Sequence, residues 1–138
     1  MRDFIEAKYH LAVAERMMKG YLEYPEKRFL IGVINEAARA VSRLVRAFLL
    51  YENTSGGLNV FSKKIAPKYL NNLTHENLIG VLEIEKAQKV SPIEFSKGDK
   101  IILLINGKYR FLTVKRVEEF VKSIGEAVKV FSGNIRQL

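Results

Sequence analysis

A chain of 138 residues, 48% hydrophobic and 28% charged, is long enough to bury one core and too apolar for general disorder, so a single domain over 1–138 is expected. It has no cysteine, which excludes disulfides, thiolate nucleophiles and cysteine-bound zinc or iron–sulfur clusters within the chain and suits a reducing cytosol. The formal net charge of +8 makes RNA or a nucleotide a plausible partner, and fits equally the lysine- and glutamate-rich surface of a thermophile's protein.

The opening residues Met1, Arg2 and Asp3 are charged where a signal peptide needs an apolar run, so a cytoplasmic protein is expected. Phe4, Ala7, Leu11, Ala14, Met18 and Tyr21 recur at helical spacing and predict a first helix over Asp3 to Tyr21. Gly20 weakens its end and Pro25 enforces a turn, so the next helix should return antiparallel. That second helix, Arg28 to Tyr51, has no proline and is apolar around most of its girth, which makes it the buried centre of a bundle. Arg28, Gly32, Asn35, Arg39, Ser42, Arg43 and Arg46 fall on its one polar stripe. Arginines at positions 39, 43 and 46 would be costly at bilayer depth, so no membrane partner is expected despite the length of the helix.

A loop follows, with Gly56 and Gly57 as its flexible residues. Leu58, Phe61, Ile65 and Tyr69 mark a third helix that Pro67 should kink or split. Thr74 is placed to cap a fourth helix over His75 to Lys89, which Pro92 ends. Asn106-Gly107 between β-branched and aromatic residues predicts a two-stranded hairpin at about 100–113. Its Ile102, Leu104, Tyr109 and Phe111 face is the more apolar and should pack inward. Ile101, Leu103, Ile105 and Leu112 are then left needing cover, and the expected solution is a homodimer that buries either this face, which is favoured, or the arginine-bearing helix pair. Thr113 should cap a last helix over Val114 to Phe131, closed by Gly133. The fold class is mainly α, an up-and-down bundle of about five helices with one inserted two-stranded β-hairpin.

Three stretches, FIEAKYHLAVAERMMKGY, the long second helix with its polar stripe, and SPIEFSKGDKIILLINGKYRFLT, resemble HEPN-domain proteins, small helical-bundle proteins of prokaryotes. The resemblance implies a dimer, and in many members a metal-independent ribonuclease of toxin and defence systems. The family's signature is an arginine followed after four to six residues by a histidine near the end of the last conserved helix. The corresponding window here, Glu85 to Ser91, reads EKAQKVS and holds neither residue. What the resemblance then implies is a non-catalytic, dimeric interaction domain that binds a protein partner or nucleic acid in a defence or toxin–antitoxin setting. Two other classes stay open: an RNA- or nucleotide-acting enzyme using the arginine stripe, and a basic protein that binds nucleic acid structurally through its lysines.

Metal-free RNA cleavage needs a proton-exchanging group beside a cation, and the chain has two histidines. His75 follows the expected cap Thr74, and His10 stands one turn after Glu6 as a surface or structural pair. The carboxylates are scattered, so neither a metal nor a cofactor is expected, and no serine sits in a nucleophile motif. The candidate anion-binding residues are Asn35, Arg39, Arg43 and Arg46, with Glu36 orienting one arginine. The other reading of the same stripe is a set of salt bridges to carboxylates on neighbouring helices.

Overall fold

Two long helices joined by a short link set the frame of the molecule. A computed structural model describes residues 1–90, 95–97, 100–105 and 107–136, except for the side chains of 90–106 and 136. Helix α1 (Arg2–Glu23) begins and ends about where its apolar period does, and its six expected core residues, Phe4 to Tyr21, are all buried. Helix α2 (Lys27–Tyr51) runs back along it. The antiparallel sense is marked by four contacts in order: Asp3 with Arg43, His10 with Glu36, Met17 against Gly32, and Gly20 against Phe29. At the third of these, a Cβ on Gly32 would stand 2.7 Å from Met17 Sδ, so the glycine leaves room for the end of the Met17 side chain.

The rest of the bundle is arranged around α2. Twelve of its residues, from Leu30 to Leu49, are buried, and they meet α1, a π-helical turn and the two later long helices. The chain first crosses a loop in which Asn53 has φ 51° and Gly56 φ 139°. Gly56 is required there on two counts, since a Cβ would also fall 2.4 Å from Val60.

Next comes a broken helix: α3 (Leu58–Val60), the π turn Phe61–Ile65, and α4 (Ala66–Tyr69). Pro67 explains the break. Having no N–H, it starts a new helical segment, and the chain widens so that Ala66 N–H donates to Phe61 O five residues back. Phe61 and Ile65 are buried by this turn. Phe61 joins an aromatic cluster in which Phe48 lies 5.7 Å from Phe61, 5.4 Å from Tyr69 and 4.9 Å from Phe131.

Helix α5 (Asn72–Val90) starts earlier than expected, because Asn71 and not Thr74 is its cap: Asn71 Oδ1 accepts the Thr74 N–H at 2.8 Å. Thr74 is instead buried, and its hydroxyl donates to Glu126 at 3.3 Å. One turn on, buried Asn77 donates to Ser123 Oγ at 2.8 Å, a polar link inside the α5–α6 contact. Helix α6 (Val114–Arg136) is capped by Thr113, whose hydroxyl accepts the Arg116 N–H at 3.1 Å. It runs through Gly133, which therefore does not end it. Val117, Phe120, Val121, Ile124, Val128 and Phe131 are buried. Pro92, expected to end α5, lies outside the described residues.

The molecule is thus mainly helical, but the segment between α5 and α6 departs from a lone two-stranded excursion. Three short strands pair antiparallel in sequence order, β1 (Phe95–Lys97), β2 (Lys100–Ile105) and β3 (Lys108–Thr113), with Ile101 opposite Leu112 and Leu104 opposite Tyr109. The orientation of β3 is the reverse of the expected one. Leu112 is buried and belongs to the core, whereas Tyr109 is 62% and Phe111 69% exposed. Packing against α6 decides this: the chain enters that helix through buried Val114, and Leu112 lies on the inner side with it. Leu112, expected to need cover, is therefore covered within the chain itself. The side chains of Ile101, Leu103 and Ile105 lie outside the description.

The loop after α2 is fastened by Glu52. Its carboxylate accepts a hydrogen bond from the Tyr69 hydroxyl and a salt bridge from Lys68 at 3.3 Å. The Tyr69 bond, ahead of the Lys68 charge, holds Glu52 below its ordinary 4.5, and the same bond pushes the Tyr69 phenol up from 10.0 to about 12. The Glu52 contribution to stability is complete above pH 4.5 and is lost as pH falls through the lowered value. The Tyr69 contribution is complete below pH 10 and is lost as pH rises through about 12. Tyr69→Phe should therefore lower the melting temperature at neutral pH. The gap from wild type should close on both sides, in acid below 4.5 and in alkali above 10, when thermal melts are followed by circular dichroism across that range.

Candidate anion-binding groove

The polar stripe of α2 is the floor of a groove. Asn35, Ala38, Arg39, Ser42, Arg43 and Arg46 come from α2, His10 from α1, and Glu85, Gln88 and Lys89 from α5, around a space of about 590 Å³. The choice between cleft and open edge, which periodicity left undecided, falls to the cleft. It does so because α1 and α5 flank α2 on either side of the stripe. A second recess of about 650 Å³ continues it toward the loop after α2. Arg2, Asp3, Leu49, Leu50, Thr54, Ser55 and Gly56 line this recess, and it shares Arg43 and Arg46 with the first.

The four candidate residues play different parts. Arg43 is a tie between helices: Nη1 donates to Asp3 at 3.1 Å and Nε meets Glu6 at 2.9 Å, both on α1. Arg39 is held on its own helix by Glu36 at 2.8 Å, with its side chain 63% exposed. Arg46 is exposed and has no acidic partner among the described residues. Asn35 is half-buried and makes no side-chain hydrogen bond among the described residues. Both readings of the stripe thus hold for different arginines, a salt-bridge role for Arg43 and a groove-lining role for Arg39 and Arg46.

His10 is the member of the site that its sequence position concealed. It does not pair with Glu6, which is taken by Arg2 and Arg43. Its Nδ1 lies 2.6 Å from Glu36 Oε2, across the helix pair, with both side chains largely buried. A carboxylate oxygen accepts, so it is Nδ1 that carries a proton toward Glu36. Glu36 therefore orients two groove residues at once, His10 through one oxygen and Arg39 through the other. The one available signal was the antiparallel pairing of the first two helices, which sets position 10 beside position 36 only once their register is known.

Opposite, Lys89 bridges Glu85 at 2.9 Å, one turn apart on α5. The segment in which the HEPN signature was sought thus supplies a wall of the groove, through Glu85, Gln88 and Lys89 in place of an arginine–histidine pair. The other histidine, His75, is engaged elsewhere. Its Nε2 lies 3.0 Å from Ser62 Oγ on the π turn, with Phe61 edge-on at 6.2 Å. No pocket described here adjoins that pair.

Among the described residues no group of three or more histidines and carboxylates could hold a metal ion, and no helix is long and apolar enough to cross a membrane. Compared with known proteins, the chain matches no family model, no curated protein and no solved structure.

These roles separate on mutation. Arg43→Ala removes both cross-helix salt bridges, which at partial exposure are worth about 1 kcal/mol. A fall of a few degrees in melting temperature is expected for a chain of this size. Arg46→Ala, with no ion pair to lose among the described residues, should melt within a degree of wild type. Differential scanning calorimetry of the two variants side by side checks the assignment.

Proposed function

We propose that this chain is a HEPN-like interaction module whose groove between α1, α2 and α5 takes the phosphate groups of a nucleic-acid strand. The observation that carries the reading is Arg46, an arginine without an acidic partner among the described residues, set where two polar recesses join. Arg39 and Arg46 lie seven residues apart on one helix, so their guanidinium stems are spaced by about 10 Å along the axis. That spacing suits two separate phosphates of an extended strand better than a single compact anion. The hydroxyls of Ser42 in the first recess and Ser55 in the second add neutral donors. The dimeric state and the defence or toxin–antitoxin setting implied by the HEPN resemblance belong to this proposal.

A second reading, an RNA-acting enzyme, is favoured by one arrangement: His10, oriented by Glu36, faces the same groove as the arginines. A base and a cation beside a bound phosphodiester are the components that metal-free transfer uses. The interaction reading is preferred because the groove holds one histidine, whereas in-line cleavage also calls for an acid at the leaving oxygen.

Binding of a fluorescein-labelled single-stranded RNA, followed by anisotropy against salt, tests both. The double variant Arg39→Ala/Arg46→Ala should weaken binding at least tenfold and reduce the salt slope by roughly 1 to 1.5, the loss of two phosphate contacts to a single strand. Its melting temperature should stay near that of wild type. An unchanged affinity removes the groove from the interface. The RNA should remain intact during the titration in the presence of a chelator; cleavage that His10→Ala abolishes makes the protein an enzyme instead.

A further inference from the structure

Two exposed aromatic side chains lie together on one strand. Tyr109 and Phe111 stand two residues apart on β3, 62% and 69% exposed, and alternation along a strand puts both on the same face, about 7 Å apart. β3 is the last strand of its sheet, so one edge of it has no strand beside it among the described residues. The strand is also basic. Lys108 and Arg110 alternate with the two rings and are themselves exposed, and Lys115 and Arg116 follow at the start of α6.

Beside Phe111 is a small recess of about 230 Å³ between this edge, α5 and α6. Ile84, Leu112 and Phe120 give it apolar walls, while Glu83, Arg110 and Arg116 supply hydrogen-bonding groups. Arg116 is already placed by Glu119 at 3.2 Å and lies over the Phe120 ring at 4.7 Å.

We propose that the outer face of β3 is a base-stacking platform for a single strand of nucleic acid, with Tyr109 and Phe111 each carrying one base. Two exposed aromatic rings on one face of a strand, with cations at neighbouring positions of the same strand and at the start of α6, can meet what an unpaired strand presents: flat bases at a regular step and a phosphate on each. The recess beside Phe111 is suited to the edge of one base, where Glu83 can accept from an exocyclic amine and the arginines can donate to ring or carbonyl acceptors. Charge favours this occupant over a second copy of the chain. A copy carrying the same net charge of +8 would bring like-charged strands together, whereas a polyanion neutralises them. The platform stands apart from the arginine groove and does not depend on it, since the groove handles phosphates and these rings handle bases.

Abasic strands separate the two. An oligothymidylate and an abasic phosphodiester of equal length, both labelled, should bind wild type with affinities differing by at least tenfold in favour of the strand with bases, as stacking on aromatic side chains provides. Tyr109→Ala/Phe111→Ala should abolish that preference while leaving the abasic strand's affinity and the melting temperature unchanged. Arg39→Ala/Arg46→Ala should lower both affinities together and keep their ratio. Failure of the groove variant alone would thus overturn the groove and leave the platform standing. Equal binding of the two strands by wild type overturns the platform, as does an unaltered preference in the aromatic double variant. So does a dimer, seen by sedimentation velocity, that the aromatic double variant dissociates with no change in strand binding; the face would then belong to a second copy.

Discussion

The antiparallel pairing of α1 with α2 is the constraint on which the rest depends. Its apolar seam is conventional helix packing that buries small residues among the larger ones, Ala7 and Ala14 of α1 and Ala37 and Ala40 of α2. Its polar seam sets the register. Arg43 reaching Asp3 and Glu6, and His10 reaching Glu36, can both form in one alignment of the two helices, and a slip by a turn breaks both. Such partly buried ionic contacts add little net stability, because desolvation offsets much of their attraction. Their effect is to make one alignment better than its neighbours. The groove is a product of that alignment, since it is lined where α1 stops covering α2 and α5 has not yet closed over it.

The same stripe therefore serves two ends with one residue type. Arg43 is consumed by carboxylates of α1, and Arg39 shares Glu36 with a histidine. Arg46, nearer the loop, is left without such a partner among the described residues. The local charge is thus close to balanced at one end of the groove and positive at the other. A phosphate meeting this surface finds its strongest attraction at Arg46, at the junction with the recess that Thr54, Ser55 and Gly56 line. The loop that carries those residues is not loose. Glu52 is bound to Tyr69 and Lys68, and Thr54 N–H donates back to Leu49 O at 2.9 Å. A constrained loop of this kind presents the Ser55 hydroxyl at a lower entropic cost on binding.

Buried polarity elsewhere in the bundle has a comparable logic. Asn77 Nδ2 donates to Ser123 inside the α5–α6 contact, and the Asn77 acceptor, Oδ1, has no partner among the described residues. Thr74 and Glu126 add a link one turn away. Polar contacts at fixed heights along two helices penalise sliding more than a uniformly apolar seam does, and they fix how α6 is presented to β3.

Periodicity by itself determined which residues of each long helix share a face. The six apolar positions of α1 and the six of α6 were legible because a period of 3.6 residues leaves one arrangement that buries them together. The cap at Thr113 and the break at Pro67 were legible too, being local chemistry of one hydroxyl and one missing N–H. Cap choice near α5 was not, because Asn71 and Thr74 are both capable and burial beside Glu126 claimed the threonine. Tertiary structure alone decided what each face meets. It turned β3 over, since burying Leu112 beside Val114 against α6 outweighs burying the larger Tyr109 and Phe111, a comparison invisible in alternation, which is identical for both faces. It moved His10 from Glu6 to Glu36, and it made the arginine stripe a groove floor. A sequence encodes the angular position of a side chain about its own axis, whereas the neighbour at that angle is set by the packing of other elements many residues away.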